Sequence, residues 1–193
     1  MRFTMFHGAL MLSLAVVTGG CAMQKGKAEA AVATADSSLQ AMAAEAQAYV
    51  PTQYDAAGAQ VAAAKADLDS KTYADALTKA QEASTAIGAL GPAIEARKAE
   101  LTQTWQGMNA TLPGVVQSIQ QRVDELSKMR RLPAGVTKDG LAQASTALQE
   151  MTADWTHAVQ AQGQGDLATA TKLADGVKAK ATEVMAALGM TKM

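Results

Sequence analysis

The stretch from Tyr54 to Leu90, YDAAGAQVAAAKADLDSKTYADALTKAQEASTAIGAL, contains the pattern that decides the fold. Its apolar residues recur at alternating intervals of three and four positions, the spacing that places side chains on one face of an α-helix. The polar residues 69–72 interrupt this pattern once. Two amphipathic helices joined by so short a turn form an antiparallel helical hairpin. The predicted apolar face consists of Tyr54, Ala57, Val61, Ala64, Leu68, Tyr73, Ala76, Ala80, Ala83, Ile87 and Leu90.

A second hairpin with the same spacing is predicted near the C-terminus. Adding 94 to each position of the first apolar face gives eleven positions, of which ten are again apolar. The polar interruption then falls on residues 163–166, where two glycines favour a turn and Asp166 can cap the following helix. The sequence therefore indicates an internal repeat, with hairpins over about 54–90 and 139–188.

Two further helices are predicted between the hairpins, over about 92–131. Gly91-Pro92 is expected to close the first hairpin, because proline suits the first turn of a new helix. Pro113 is expected to divide this middle region near Thr111, since proline costs about 3 kcal/mol inside a helix. One long kinked helix is the alternative, because the apolar pattern nearly keeps its phase across Pro113. Residues 132–135 are expected to form a loop, and Asp139 to cap the next helix.

Composition favours an all-α protein. Hydrophobic residues make up 49% of the 193 residues but aromatic residues only 4%, alanine is abundant and β-branched runs are scarce. We predict antiparallel helical hairpins packed as a bundle or a short solenoid, with about seven helices after a signal peptide. The helical domain is expected to cover 28–193, beginning with a helix over 28–48, and residues 21–27 are expected to form a short tether.

The start of the second helix of each hairpin resembles a tetratricopeptide repeat. Leu68-Asp69-Ser70-Lys71-Thr72-Tyr73-Ala74-Asp75-Ala76 and Gly163-Gln164-Gly165-Asp166-Leu167-Ala168-Thr169-Ala170 each have a turn, a large apolar residue, two further residues and an alanine. On these residues the chain resembles alanine-rich bacterial lipoproteins whose helical hairpins are similar to tetratricopeptide repeats. The resemblance implies a scaffold or interaction role and supplies no catalytic residues.

The N-terminus has the features of an export signal. Arg2 is followed by the apolar run 9–17, which suits a signal peptide and is shorter than the roughly 20 apolar residues of a membrane span. Thr18-Gly19-Gly20-Cys21 resembles the lipobox of bacterial lipoproteins, although leucine is commonest at the position of Thr18. The resemblance implies cleavage after residue 20 and a diacylglycerol on Cys21, the only cysteine; an ordinary signal peptide is the alternative.

The residue after Cys21 bears on location. In lipoproteins an aspartate at this position influences sorting, whereas this chain has Ala22. The resemblance therefore implies a cell-envelope protein, lipid-anchored to the outer membrane and facing the periplasm.

No catalytic, cofactor or metal site is predicted. His157 is the only histidine after the signal, the serines lack a nucleophile elbow, and Gly163-Gln164-Gly165 lacks the strand and lysine of a phosphate-binding loop. The net charge of −1 provides no basic field for nucleic acid. We therefore expect a protein that is not an enzyme and does not bind nucleic acid.

Five residues are candidates for interaction. Lys128, Arg130 and Arg131 form the sharpest basic cluster; they either stabilise a helix C-terminus or bind an acidic partner or lipid headgroup. Trp105 and Trp155 lie on apolar faces, as core residues or as interface anchors. The predicted function is a non-catalytic interaction or structural scaffold with an envelope protein as partner. The alternative is a helical bundle that binds a small apolar ligand or lipid along methionine-containing seams (Met108, Met151, Met185).

Overall fold

The computed structural model describes residues 18–190, which are helical apart from short turns and one loop. No strand occurs within this range, so the all-α prediction is confirmed. The helices are α1 (Thr18–Ala41), α2 (Ala43–Tyr49), α3 (Pro51–Asp69), α4 (Tyr73–Ser127), α5 (Lys138–Gly163) and α6 (Leu167–Ala187).

The chain divides into two compact units. The first unit extends to Ala44 and includes Thr52–Leu90; the second comprises Glu45–Pro51 and everything from Gly91 onward. Helix α4 contributes residues to both units. The short segment 45–51 belongs to the second unit, whereas α1 before it and α3 from Thr52 onward belong to the first.

The core of the first unit is rich in alanine, although Leu39, Ile87 and Leu90 are also buried in it. Val32 of α1, Ala64 of α3 and Ala80 of α4 pack together and are almost fully buried. Ion pairs lie beside this core, with Lys65 Nζ 2.7 Å from Asp36 Oδ1 and Lys79 Nζ 2.6 Å from Asp67 Oδ2. Small side chains allow the helix backbones to approach closely but bury less apolar area per residue.

The second unit has a larger core, built by α4, α5 and α6. Its fully buried side chains include Leu112, Ile119, Leu126 and Met151. Segment 45–51 is held in the same unit: Lys98 Nζ is 2.7 Å from Glu45 Oε1 and lies 5.3 Å from the centre of the Tyr49 ring. The hydrogen bond to Glu45 raises the pKa of Lys98.

The predicted helix boundary at Gly91-Pro92 is wrong, and at Pro113 the alternative of one long helix holds instead of the predicted break. Helix α4 continues through Pro92 and Pro113, so the two middle helices and the end of the first hairpin are one helix, and six helices rather than about seven lie in residues 18–190. Both prolines are exposed. Because proline has no backbone N–H, the carbonyls of Gly88 and Asn109, four residues earlier, lack their usual helical hydrogen bond, but both residues are exposed to water.

The apolar pattern explains why α4 continues. Its buried residues keep intervals of three or four, or sums of the two, on both sides of each proline. Burial of a large apolar side chain contributes about 1.5–3 kcal/mol, so a few such residues outweigh the cost of a proline. The buried residues flanking the prolines are Ile87, Leu90, Ile94, Met108, Leu112 and Ile119.

The N-terminal predictions are met only in part. The helix expected over 28–48 is present as α1 and α2, but α1 already begins at Thr18, so residues 21–27, predicted as a tether, are helical. The apolar run 9–17 of the predicted signal peptide lies outside the described residues, as does the side chain of Cys21.

The cap of α5 also differs from the prediction. Thr137, not Asp139, is the cap, and its hydroxyl accepts a hydrogen bond from the backbone N–H of Gly140 at 3.0 Å. Asp139 lies in the first turn of the helix instead.

The shift of 94 residues that aligns the apolar faces also aligns the two turns. Helices α3 and α5 end at Asp69 and Gly163, and α4 and α6 begin at Tyr73 and Leu167. Four backbone hydrogen bonds of the first turn have counterparts 94 positions later with lengths that agree within 0.1 Å. These are Ser70 N–Ala66 O, Lys71 N–Leu68 O, Thr72 N–Asp67 O and Ala76 N–Thr72 O, matched by Gln164 N–Gln160 O, Gly165 N–Gln162 O, Asp166 N–Ala161 O and Ala170 N–Asp166 O.

Candidate interaction surface

The loop between α4 and α5, together with the first residue of α5, contains four basic residues; residues 128–138 are called the basic loop below. Lys128, Arg130, Arg131 and Lys138 are all exposed. None of them has a carboxylate oxygen within 4.0 Å in the part of the chain that the structure describes. Seven other lysines and arginines of residues 18–190 do have such a partner.

Helix electrostatics account for only part of this cluster. Lys128 directly follows the C-terminus of α4, where a positive charge is favourable. Lys138 is the first residue of α5, at the end of the helix where a positive charge is unfavourable. Arg130 and Arg131 lie between the two helices. A favourable charge at the C-terminus of α4 therefore accounts for Lys128 but not for Arg130, Arg131 and Lys138.

A tight turn positions the middle of the basic loop. The N–H of Val136 donates to the carbonyl of Pro133 at 3.2 Å, and Gly135 between them has a φ of +88°. A β-turn of type II requires a positive φ at its third position, where glycine has no steric cost. The turn brings Val136 back against the core, where only 8% of its surface remains exposed.

The basic loop borders an open hollow of about 450 Å³. Its floor is apolar and includes the buried residues Leu126 and Val136. Met129 is unusual among the large apolar residues because 44% of its surface is exposed. The hollow therefore combines an apolar floor with a cationic rim. The remaining lining residues are Ser127, Arg130, Arg131, Leu132, Lys138 and Leu141.

The two tryptophans form a separate feature. Trp105 and Trp155 stack with ring centres 5.4 Å apart and ring planes 8° from parallel. Trp105 is buried, in agreement with a core role, and Trp155 is half-buried against the same core. Neither borders the hollow of the basic loop. The structure thus pairs the tryptophans with each other and not with the basic cluster.

Sequence reasoning missed Met129 and Lys138 as parts of this surface. Met129 lies inside the basic run Lys128-Met129-Arg130-Arg131, and Lys138 follows only seven residues later. The charge of Lys138 could have been added to the cluster from the sequence. The apolar floor could not, because it depends on the turn that returns Val136 to the core.

Another hollow, of about 520 Å³, lies at the N-terminus of α6. Asp166 caps this helix: the N–H of Thr169 donates to its carboxylate at 3.0 Å and lowers the pKa of Asp166. Tyr49 donates a hydrogen bond of 3.3 Å to the carbonyl of Gly165. Both cations and carboxylates line this hollow, among them Arg97, Lys172 and Asp175. Since Arg97 is also 2.6 Å from Glu100, the lining selects neither an anionic nor a cationic ligand.

Residues 18–190 contain neither a metal-binding cluster nor a membrane-spanning helix. No cluster of three or more histidine, cysteine or acidic residues is arranged to hold a metal ion in this range. His157 is exposed on α5. None of the helices within this range has the length and hydropathy to cross a membrane. Comparison of the chain with protein-family models, with curated proteins and with solved structures found no match.

Proposed function

We propose that the protein is a lipid-anchored, non-catalytic scaffold of the bacterial cell envelope. The observation that carries this proposal is the sequence 9–21, in which an apolar run of signal-peptide length leads through Gly19 and Gly20 to the only cysteine. A diacylglycerol and a further acyl chain on Cys21 would anchor the protein stably, because each buried CH₂ adds about 0.8 kcal/mol of membrane affinity. Ala22 favours the outer membrane with the protein facing the periplasm.

The scaffold role is supported by the type of surface that the helices present. Two hairpins with corresponding turns 94 residues apart are in keeping with a tetratricopeptide-like interaction protein. The basic loop adds an exposed, unpaired set of cations that contributes no ion pair to the fold of the described residues. An envelope protein is the proposed partner.

Metabolic labelling tests the anchor. Cells expressing the full chain would receive an alkyne-bearing fatty acid, and we expect label on the wild-type protein and none on Cys21→Ala. The wild-type protein should stay in the membrane fraction after washing with high salt and with carbonate. A Cys21→Ala chain given an ordinary cleavable signal should appear in the soluble fraction. Label on both forms, or on neither, would refute the lipoprotein assignment.

Crosslinking in intact cells tests the scaffold role. A specific envelope protein recovered with the anchored form supports the scaffold role. The Lys172→Gln/Lys178→Gln variant alters exposed cations away from the basic loop and, as a control, should recover the same protein. Recovery of no protein with either the anchored form or its Cys21→Ala counterpart would count against the scaffold.

Binding of an apolar ligand is the alternative proposal. Met108 and Met185 each border a hollow beside α4, of about 300 and 550 Å³ respectively. Methionine side chains adapt readily to apolar ligands. Mass spectrometry of the organic extract of the purified protein distinguishes the alternatives, since a stoichiometric lipid or other apolar molecule would favour the carrier.

A further inference from the structure

The basic loop has the chemistry of a site for an anionic amphiphile. The exposed cations Arg130, Arg131 and Lys138 line the same hollow as the apolar floor, and Lys128 lies two residues before Arg130. A ligand that satisfies both parts carries a negative headgroup next to an apolar body. Neither a metal ion nor a purely polar anion would use the exposed Met129 or the apolar floor.

The loop has few groups for reading a specific peptide. The hydroxyl of Ser127 already donates to the carbonyl of Val123 at 2.7 Å, and the hydroxyl of Thr137 accepts from Gly140 as the cap of α5. Apart from these two hydroxyls, the polar side chains of residues 127–138 are cations. Recognition by charge and apolar contact, without a set of directed hydrogen bonds, suits a bilayer surface, which offers dense negative charge and an apolar interior.

We propose that the basic loop binds anionic phospholipid headgroups at a membrane surface, with Met129 directed towards the acyl region. The proposal rests on the proposed function only in that the lipid on Cys21 keeps the chain at a bilayer, where the effective concentration of headgroups is high. The chemistry of the loop itself does not depend on that lipid. Each exposed cation near an anionic surface strengthens binding roughly fivefold, and salt weakens the attraction.

The first experiment removes the anchor so that the loop acts alone. The Cys21→Ala chain, exported with an ordinary cleavable signal, is sedimented with vesicles of phosphatidylcholine or of an equal mixture of phosphatidylcholine and phosphatidylglycerol. We expect binding to the mixed vesicles only, and its loss at high salt. The Arg130→Gln/Arg131→Gln variant should bind roughly 25-fold more weakly.

A matched control removes the same charge from another place. Lys172 and Lys178 are also exposed and without a carboxylate partner among the described residues of the second unit, so Lys172→Gln/Lys178→Gln should bind the mixed vesicles as the parent does. Circular dichroism verifies that both variants are folded. Equal binding to the two kinds of vesicle, or an equal loss in both variants, would overturn the proposal.

A fluorescent probe tests the part assigned to Met129. Met129 and Val159 are both 44% exposed, which makes Val159 a matched control position. Met129→Cys and Val159→Cys, each in the Cys21→Ala chain, are labelled with an environment-sensitive dye. We expect a blue shift on mixed vesicles for the dye at position 129 only. The same dye response at both positions, or at neither, would contradict the role assigned to Met129. If the basic loop captured an acidic protein but the chain bound no vesicles, the proposed lipid ligand would be wrong and that protein would be the ligand. Because acylation of the wild-type chain is measured separately, failure of the anchor and failure of the loop remain distinguishable.

Discussion

The turns at 69–72 and 163–166 have matching backbone hydrogen bonds but different residues. At the third position Lys71 has a φ of 62° where Gly165 has 83°. At the fourth, the Thr72 hydroxyl donates to the carbonyl of Asp67, whereas the Asp166 carboxylate accepts from the N–H of Thr169. The first turn therefore holds a lysine in the left-handed region, which glycine occupies at lower cost in the second turn.

The two hairpins also differ in what they bury. Under the shift of 94 residues Ala57 corresponds to Met151 and Ala83 to Val177, and all four residues are buried. At two other buried pairs the first hairpin has the larger residue, since Ile87 corresponds to Ala181 and Leu90 to Val184. The second unit as a whole nevertheless buries more of the large apolar side chains, including Leu112, Ile119 and Leu126. Because the stabilisation from burial increases with apolar area, we expect the second unit to be the more resistant to unfolding.

The largest expected effect is in the small core of the first hairpin. Val61→Asp places an unpaired charge where only 3% of the residue is exposed, and should destabilise the protein by about 3–5 kcal/mol. Thermal unfolding followed by circular dichroism measures the change. Ala62→Asp, on the exposed side of the same helix, is the control and should shift the melt little. Equal melts for the two variants would remove Val61 from the core.

The next effect tests the larger core of the second hairpin. Met151 is fully buried, so Met151→Ala should cost about 2–5 kcal/mol through lost contacts and a cavity. Urea unfolding followed by tryptophan fluorescence reports on this unit, because Trp105 and Trp155 both lie in it. Met129→Ala makes the same chemical change at an exposed position and should shift the midpoint little. A midpoint unchanged by Met151→Ala would mean that this core is not tightly packed.

Exchanging residues between the turns tests whether positions 71 and 165 are equivalent. Gly165→Ala should destabilise by about 1–2 kcal/mol, because a side chain disfavours the left-handed region. Lys71→Gly should stabilise by roughly 0.5–1 kcal/mol, since it removes the same cost from the first turn. Chemical unfolding of both variants beside the wild type measures these opposite signs. A shift of the same sign for both would show that the two turns are not equivalent.

The smallest effect concerns the cap that only the second turn has. Asp166→Ala should cost about 1 kcal/mol, whereas Asp166→Asn keeps an acceptor for Thr169 N–H and should cost less. The pKa of Asp166 is lowered in the folded state, so its contribution is present above the unfolded pKa and is lost as pH falls through the folded value. Urea unfolding at neutral pH and at about pH 2 should therefore show a smaller difference between wild type and Asp166→Asn in acid. A difference that does not change with pH would exclude the charge of Asp166 as its cause.

The sequence predicted the helical class and the two turns because their signals are local, whereas the end of the first hairpin at Leu90 was wrong. Helical periodicity identified buried residues such as Ala64, Ala80 and Ala158, and the polar turn residues identified where the helices end. For the candidate surface, the sequence located Lys128, Arg130 and Arg131 but not the apolar floor beneath them. That floor includes Leu126 and Val136, which meet only when the loop folds back on the helices.

The helical class, the apolar helix faces and the two corresponding turns are predictable from the amino-acid sequence alone. These follow from intervals of three and four residues and from turn chemistry, which act over a few neighbouring positions. The position of Pro92 and Pro113 inside one helix, and the apolar floor that the turn at Gly135 gives the basic loop, depend on tertiary packing. The physical reason is that a local cost of about 3 kcal/mol per proline is outweighed by burial against partner helices, and those partners come from distant parts of the chain.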